Sequence, residues 1–275
     1  MGPRLRGDES GVCWLLQCPR AAAMKKRWPG FLLFAALLLA WELGSATKLL
    51  DPVSVPRVSV IAAAWVEAIR NGQLLNHLLP SLWRIFAGFG LAVVVAVPLG
   101  LLMGTISLCY RLLEPISEFI RPIPAAAYIP IAILFLGIGN EMKIFVVFLA
   151  CLFPVLLNTY GGVRGIDPVL VDTGRSFGVS RLKALWQIVF PAALPSILTG
   201  MRISLGIALI VAVVSEMIAG NSGIGYFILD MQRIFRVPDM FAGIFTLGLL
   251  GFLINFVFLK IEQHFLRWRG TSVET

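Results

Sequence analysis

Residues 164–195, RGIDPVLVDTGRSFGVSRLKALWQIVFPAALP, form a long polar run between two strongly apolar blocks. Asp167 followed by Pro168 is a helix start: the carboxylate can accept from the free amides, and proline at the first helical position loses no needed N–H. Val169, Thr173 and Phe177 recur every four residues and make one apolar stripe. Gly178 then stops the helix, because glycine takes the left-handed conformation that a helix end needs. Ser180 is placed to cap a second helix, in which Leu182, Leu185, Trp186 and Val189 fall at i, i+3, i+4 and i+7 while Arg181, Lys183 and Gln187 stay wet. Pro191 marks the next break. The expectation is a helix, a glycine corner and a second helix, too charged to lie in lipid yet joined to segments that must.

Those neighbouring segments set the class. Of the 275 residues 58% are hydrophobic and 14% charged, with a mean hydropathy of +0.87, whereas a soluble domain keeps about a quarter of its residues charged. The apolar blocks, about 20 residues each, match a bilayer at about 1.5 Å rise per residue. The chain therefore reads as an all-α, polytopic membrane protein with about six transmembrane helices. Its net charge of +8 is expected from loop positions under the positive-inside rule rather than from nucleic-acid binding. Cys13, Cys18, Cys109 and Cys151 have neither metal-ligand nor redox spacing, so no disulfide framework and no metal site is expected.

In chain order, residues 1–27 read as a cytoplasmic tail or an over-extended start before Met24. MKKRWPGFLLFAALLLAWELGSA, from Met24, resembles a signal peptide but offers only a weak small-residue cleavage site, so a retained first helix over 28–46 is preferred. Residues 47–80 form a periplasmic loop with a short surface helix, Val58 to Ile69. The second span covers 81–108, and a polar turn with Arg111, Glu114, Glu118 and Arg121 follows. RPIPAAAYIP at 121–130 opens an irregular third span that ends near Gly139; Asn140 to Lys143 is a tight turn. The fourth span is 144–163, the polar stretch occupies 164–191 and the fifth span is 193–218. A loop with Gly220, Gly223 and Gly225 runs to Asp239, a last span covers 240–260, and 263–275 is a cytoplasmic tail. The membrane-spanning core is thus 81–262. Six spans put 16 of the 23 Lys and Arg residues on the side of the polar stretch, which assigns that side to the cytoplasm.

The chain has no GxxxxGK[ST] loop, no HExxH and only two histidines, His77 and His264, so an enzyme acting alone is not indicated. Ion-driven carriers place ionisable groups in mid-membrane. Here Glu42, Arg202 and Glu216 all sit within about two turns of a span end, which favours a partner chain as the motor over an ion-coupled carrier. From physics alone the polar stretch is either a helix pair that fits a groove on a soluble partner or an interfacial helix lying on headgroups.

Asp172-Thr173-Gly174, three residues, Gly178, nine residues and Ile188-Val189-Phe190-Pro191 resemble the EAA loop of ABC-importer permeases, whose pattern is EAA, three residues, Gly, nine residues, I-x-L-P. Asp stands for Glu, Thr and Gly for the two alanines, and Phe for Leu. RPIP (121–124), LFLGIGNEMKIF (134–145), FPVLLNTYGGVRGIDP (153–168), LPSILTGMRISLG (194–206) and SEMIAGNSGIGY (215–226) extend the resemblance over about residues 76–269, to the permeases of the aliphatic sulfonate, taurine and nitrate importers. That resemblance implies a type I ABC-importer fold that dimerises with a second copy of itself. It also implies two cytoplasmic ATPase subunits, which carry the ATP and magnesium that this chain does not, and a solute-binding protein outside. The solute would be a small organic anion, with nitrate, bicarbonate or a pyrimidine-type compound as alternatives.

The resemblance makes Asp172, Thr173, Gly174, Gly178, Leu182, Ile188 and Pro191 the ATPase-coupling residues. Asp172 can pair with a basic group of the ATPase or, locally, with Arg175. Asn158, Arg202 and Glu216 are candidates for the path or its gate. Each has a plainer reading: interhelical packing for Asn158, snorkelling to headgroups for Arg202 and a solvated helix end for Glu216. Asn221, Ser222 and Gly223 are candidates for contact with the binding protein.

Overall fold

The computed structural model describes residues 28–267 apart from Lys48, Leu50 and Pro52. The amino-terminal tail, with Cys13 and Cys18, and residues 268–275 lie outside the described residues. The chain divides into two units at Ser59.

The first unit holds α1 (Trp28–Ala46), apolar over most of its length, with Glu42 and Ser45 near its end. Trp41 donates its indole N–H to Pro56 O, and Ser45 its hydroxyl to Val55 O. Glu42 accepts from both the amide and the hydroxyl of Ser59, so a carboxylate from α1 satisfies free donors at the start of the next helix.

The second unit begins at Val60, within α2 (Val58–Arg70), and contains α3 (Gln73–Thr105), α4 (Ser107–Ile120), α5 (Ile129–Leu136), α6 (Asn140–Arg164), α7 (Pro168–Ser176), α8 (Arg181–Ala184), α9 (Phe190–Ala219), α10 (Ile224–Arg233) and α11 (Val237–Phe265). There is no strand among the described residues. Among the described residues four helical stretches are long and apolar enough to cross a membrane, namely α3, α6, Arg181–Ala219 and α11. A bent pair, α4 with Ala125–Leu136, meeting at 88°, is together also long and apolar enough to cross, as one broken span or a re-entrant loop. With α1 this gives the about six apolar elements expected.

Packing explains why α3, α6 and α9 stand together. On α3, Gly88, Ala92, Ala96, Gly100 and Gly104 recur every four residues. They face Val147, Cys151, Val155, Thr159 and Val163 of α6, which have the same spacing. On α9, Ala193, Ile197, Ser204, Ala208, Ala212 and Glu216 are buried along one face. Small residues every fourth position let backbones approach, and in lipid this contact replaces the hydrophobic drive as the source of association. A Cβ on Gly100 would lie 2.6 Å from Thr159 Cβ and 2.9 Å from Leu156 O. Gly100→Val is therefore expected to cost about 1–3 kcal/mol, read as a lower thermal midpoint of the detergent-purified protein. Gly90→Ala, where no atom lies within 4 Å of the added carbon, is expected to leave that midpoint unchanged or raised.

Several expectations are corrected. The polar turn after the second span is the helix α4: Arg111, Glu114, Glu118 and Arg121 are spaced at i, i+3, i+7 and i+10, opposite the exposed Leu108, Leu112 and Ile116. Asn140 to Lys143 is the first turn of α6, not a tight turn. The second span begins at Gln73, inside the expected loop, and runs through Pro80 and Pro98. The glycine loop before Asp239 contains α10. Pro191 does not break the chain: residues 185–189 form a π-turn in which Phe190 N–H reaches Leu185 O, and the helix continues to Ala219. The wider turn relieves the clash between a proline ring and the preceding carbonyls.

Candidate functional site

The small-residue stripes end, at one end of the three helices, in ionisable residues. Arg84 is the next position on the α3 stripe, Lys143 the next on α6 and Glu216 the last on α9. Their exposures are 2%, 1% and 0%. Arg84 Nη1 donates to Glu216 Oε1 at 2.6 Å and to Ser222 O at 2.8 Å, Nη2 donates to Ser222 Oγ at 2.7 Å, and Nε donates to Asn140 Oδ1 at 2.9 Å. Glu216 also accepts from Ser81 Oγ and from Gly225 N–H. Ser81 Oγ in turn accepts from Ile224 N–H, and His77 Nδ1 from Gly223 N–H. One carboxylate thus holds α3, α9 and the start of α10, while Arg84 adds α6 through Asn140.

The glycines between α9 and α10 exist for this closure. A Cβ on Gly223, at φ +113°, would clash with the Glu216 carboxylate, and one on Gly225 with Val213 O. Lys143 precedes Val147 on the α6 stripe by four residues as Arg84 precedes Gly88 on α3, and Gly88 packs on Val147; none of the described hydrogen bonds or ion pairs involves its ammonium. Two cations and one carboxylate are therefore buried together. A charge this deep persists only when paired and hydrogen-bonded, and Glu216 is what pairs it.

At the other end lies the polar stretch. Asp167 accepts from Val169 N–H as the helix cap expected of it. Gly178 has φ +72°, its N–H bonds to Arg175 O and Val179 N–H bonds to Gly174 O. That paired pattern is the Schellman closure of α7. Ser180 occupies the cap position of α8 but makes no side-chain cap bond. Asp172 pairs locally with Arg175 at 3.2 Å, both exposed, a contact worth about 0–1 kcal/mol. Gly174 is buried, and a Cβ there would meet Ile188 Cδ1, so two positions of the spacing pattern touch each other. Leu185 and Val189 pack with Leu101, Val163, Ala193 and Ile197. The remaining apolar side chains stay open: Phe177 is 82% exposed and Leu182 69%, with Val169 and Trp186 beside them in the same loop. Thr173 spends its hydroxyl on Val169 O.

Of the other candidates, Asn158 donates to Pro154 O within its own helix, and its Cβ packs where Gly200 leaves room, which matches the packing reading. Arg202 is exposed and donates Nε to Asn255 Oδ1 at 3.3 Å. Glu216 is not a solvated helix end but the centre of the buried network. Asn221 is exposed, Ser222 is engaged by Arg84 and Gly223 is buried, so of these three Asn221 is the one open to a partner. Sequence reading missed Ser81, Arg84, Asn140 and Lys143. The signal that finds them is the four-residue period of α3 and α6, which runs on into Arg84 and Lys143.

Residues 96–269 match the family described as binding-protein-dependent transport system inner membrane component. The chain is 30% identical over 259 residues to the taurine transport system permease protein TauC of Escherichia coli K12, covering 90% of this chain and 94% of that protein. It is 32% identical over 242 residues to SsuC of Bacillus subtilis 168, a permease protein named for aliphatic sulfonates transport, covering 88% of each. The fold matches the inward-facing MetNI methionine ABC transporter with a TM-score of 0.64 at 19% identity, over 70% of this chain and 95% of that one. The chain belongs to the binding-protein-dependent transport permeases, the membrane-embedded subunits of ABC importers, with the type I fold of that class.

Proposed function

We propose that this chain is the permease subunit of a bacterial inner-membrane ABC importer for a small organic anion, an aliphatic sulfonate or taurine. It works as a homodimer with two cytoplasmic ATPase subunits, on which ATP and magnesium are bound, and with a solute-binding protein outside. The 164–191 loop, the amino-terminal tail and the carboxyl-terminal tail face the cytoplasm, and the Arg84–Glu216 network faces outward.

The single observation that carries this reading is the polar stretch itself: a capped helix and a Schellman glycine hold Phe177, Leu182 and Trp186 open to solvent. Large apolar side chains held rigidly outside the lipid are suited to a pocket on another protein. Arg181–Ala219 is one continuous helical stretch of 39 residues, about 58 Å at 1.5 Å per residue. It carries the docking loop at one end and Glu216 at the other. Closure of the ATPases pushes the loops, the stiff helix transmits the displacement, and the outer ends of α3, α9 and α10 separate where Glu216 and Arg84 join them. ATP hydrolysis then releases the loops and the network closes again.

Phe177→Asp combined with Leu182→Asp tests docking. The variant is expected to insert normally and to lose at least about 90% of the ATPase that co-purifies from mild detergent, since burying two unpaired charges costs several kcal/mol. Undiminished co-purification rejects the docking role.

A further inference from the structure

The groove between α9 and α11 has no part in the docking loop or the outer ion pair. Arg202, Gly206 and Leu209 lie on one face of α9, and Gly251, Asn255 and Phe258 on the facing side of α11; between them is a cavity of about 200 Å³. The cavity is there because glycine stands on each wall. The position of a Cβ on Gly206 has no atom within 4 Å, and one on Gly251 would be 3.0 Å from Leu209 Cδ2. At one end of the groove Arg202 Nε holds Asn255 Oδ1. That bond leaves the Asn255 amide nitrogen unused among the described hydrogen bonds. The described hydrogen bonds use neither Nη of Arg202, and no carboxylate is among the described residues that line the groove. The result is a fork of N–H donors and an amide above apolar walls.

We propose that this groove binds the transported anion within the permease: the oxyanion head on the Arg202 guanidinium and the Asn255 amide, a short hydrocarbon tail against Leu209 and Phe258. The proposal rests on the organic-anion reading above. A planar guanidinium with free N–H groups suits a sulfonate or carboxylate, because two parallel charge-assisted bonds can form at once. The volume is below the about 300–1,000 Å³ of pockets for drug-sized ligands, which fits a solute of a few carbon atoms and not the chains of a phospholipid. Arg202 lies 17 residues from Ala219, about 25 Å along α9. Solute seated there has already passed the level of the Arg84–Glu216 pair.

The test titrates ethanesulfonate into the detergent-purified permease–ATPase assembly and follows its thermal midpoint, using the monodisperse, ATPase-bound fraction of each variant. Saturable stabilisation is expected for the wild type. Arg202→Met, which removes the fork, and Leu209→Trp, which fills the cavity, are each expected to raise the half-saturating concentration by about tenfold or more. Arg202→Lys keeps the charge without the fork and is expected to fall between. Absence of a wild-type response, or a response unaltered in both Arg202→Met and Leu209→Trp, overturns the proposal.

A lipid phosphate shares the head-group chemistry, so the titration is repeated in nanodiscs of phosphatidylcholine with and without phosphatidylglycerol. Equal responses in both support the solute. A response abolished by phosphatidylglycerol assigns the groove to lipid and overturns the proposal. Sulfonate uptake by the wild-type importer with its binding protein is measured separately. Groove binding without uptake leaves the site standing and rejects the substrate class, and uptake without groove binding does the reverse.

Discussion

Glu216→Ala is expected to lower the stability of the purified permease by about 3–5 kcal/mol, the cost of removing one partner from a buried ion pair, and to abolish transport. The size of the effect follows from what is left behind. Arg84 and Lys143, 2% and 1% exposed, would remain buried together with no carboxylate between them. Ser81 Oγ and Gly225 N–H would lose their acceptor. Glu216→Gln keeps the shape and an acceptor oxygen but not the charge, and is expected to lie between alanine and the wild type. The double variant Arg84→Met, Glu216→Met removes both charges and is expected to recover much of the stability while failing in transport, because the latch between α3 and α9 is gone. A thermal-unfolding double-mutant cycle reads the coupling. Additive effects of the two single variants would show that the pair is not the unit described here.

Gly178→Val is expected to insert at normal levels and yet lose at least about 90% of uptake and of ATPase co-purification. No atom lies within 4 Å of the added Cβ, so the effect is purely of backbone. A β-branched residue at φ +72° carries about 1–3 kcal/mol of strain. The loop is exposed and releases that strain by giving up the Schellman bonds to Arg175 O and Gly174 O. Phe177 and Leu182 then no longer hold their mutual placement. Gly178→Asn tolerates the left-handed region and is expected to retain most activity, which separates conformation from side-chain chemistry. Normal uptake by the valine variant would falsify the role of this corner.

The two candidate sites differed in how far they could be read in advance. The polar loop is local: a cap two residues from the amide it serves, a glycine within four residues of the carbonyls that its turn satisfies and an apolar stripe all lie within a few residues of one another. Its reading survived except at Ser180, whose hydroxyl stays out of the cap, and at Pro191, where a π-turn absorbs the proline. The helix α4 was also legible, because its charges and its leucines both keep a helical spacing; counting polarity instead of period hid it. The Arg84–Glu216 network was not read, because Arg84 and Lys143 sit at the edges of apolar windows, where a charge looks like a loop residue.

By itself the sequence determined the all-α membrane class, the approximate spans, the family and the capped, glycine-cornered loop, because hydropathy, period and turn chemistry act over short distances along the chain. Only the tertiary structure decided that Arg84 and Glu216 pair and that Lys143 is buried at the same end of the helices. They are 59 and 73 residues apart in sequence, and what brings them to one level is the register of three small-residue stripes against each other. That register is set by close packing between helices, which no single segment contains.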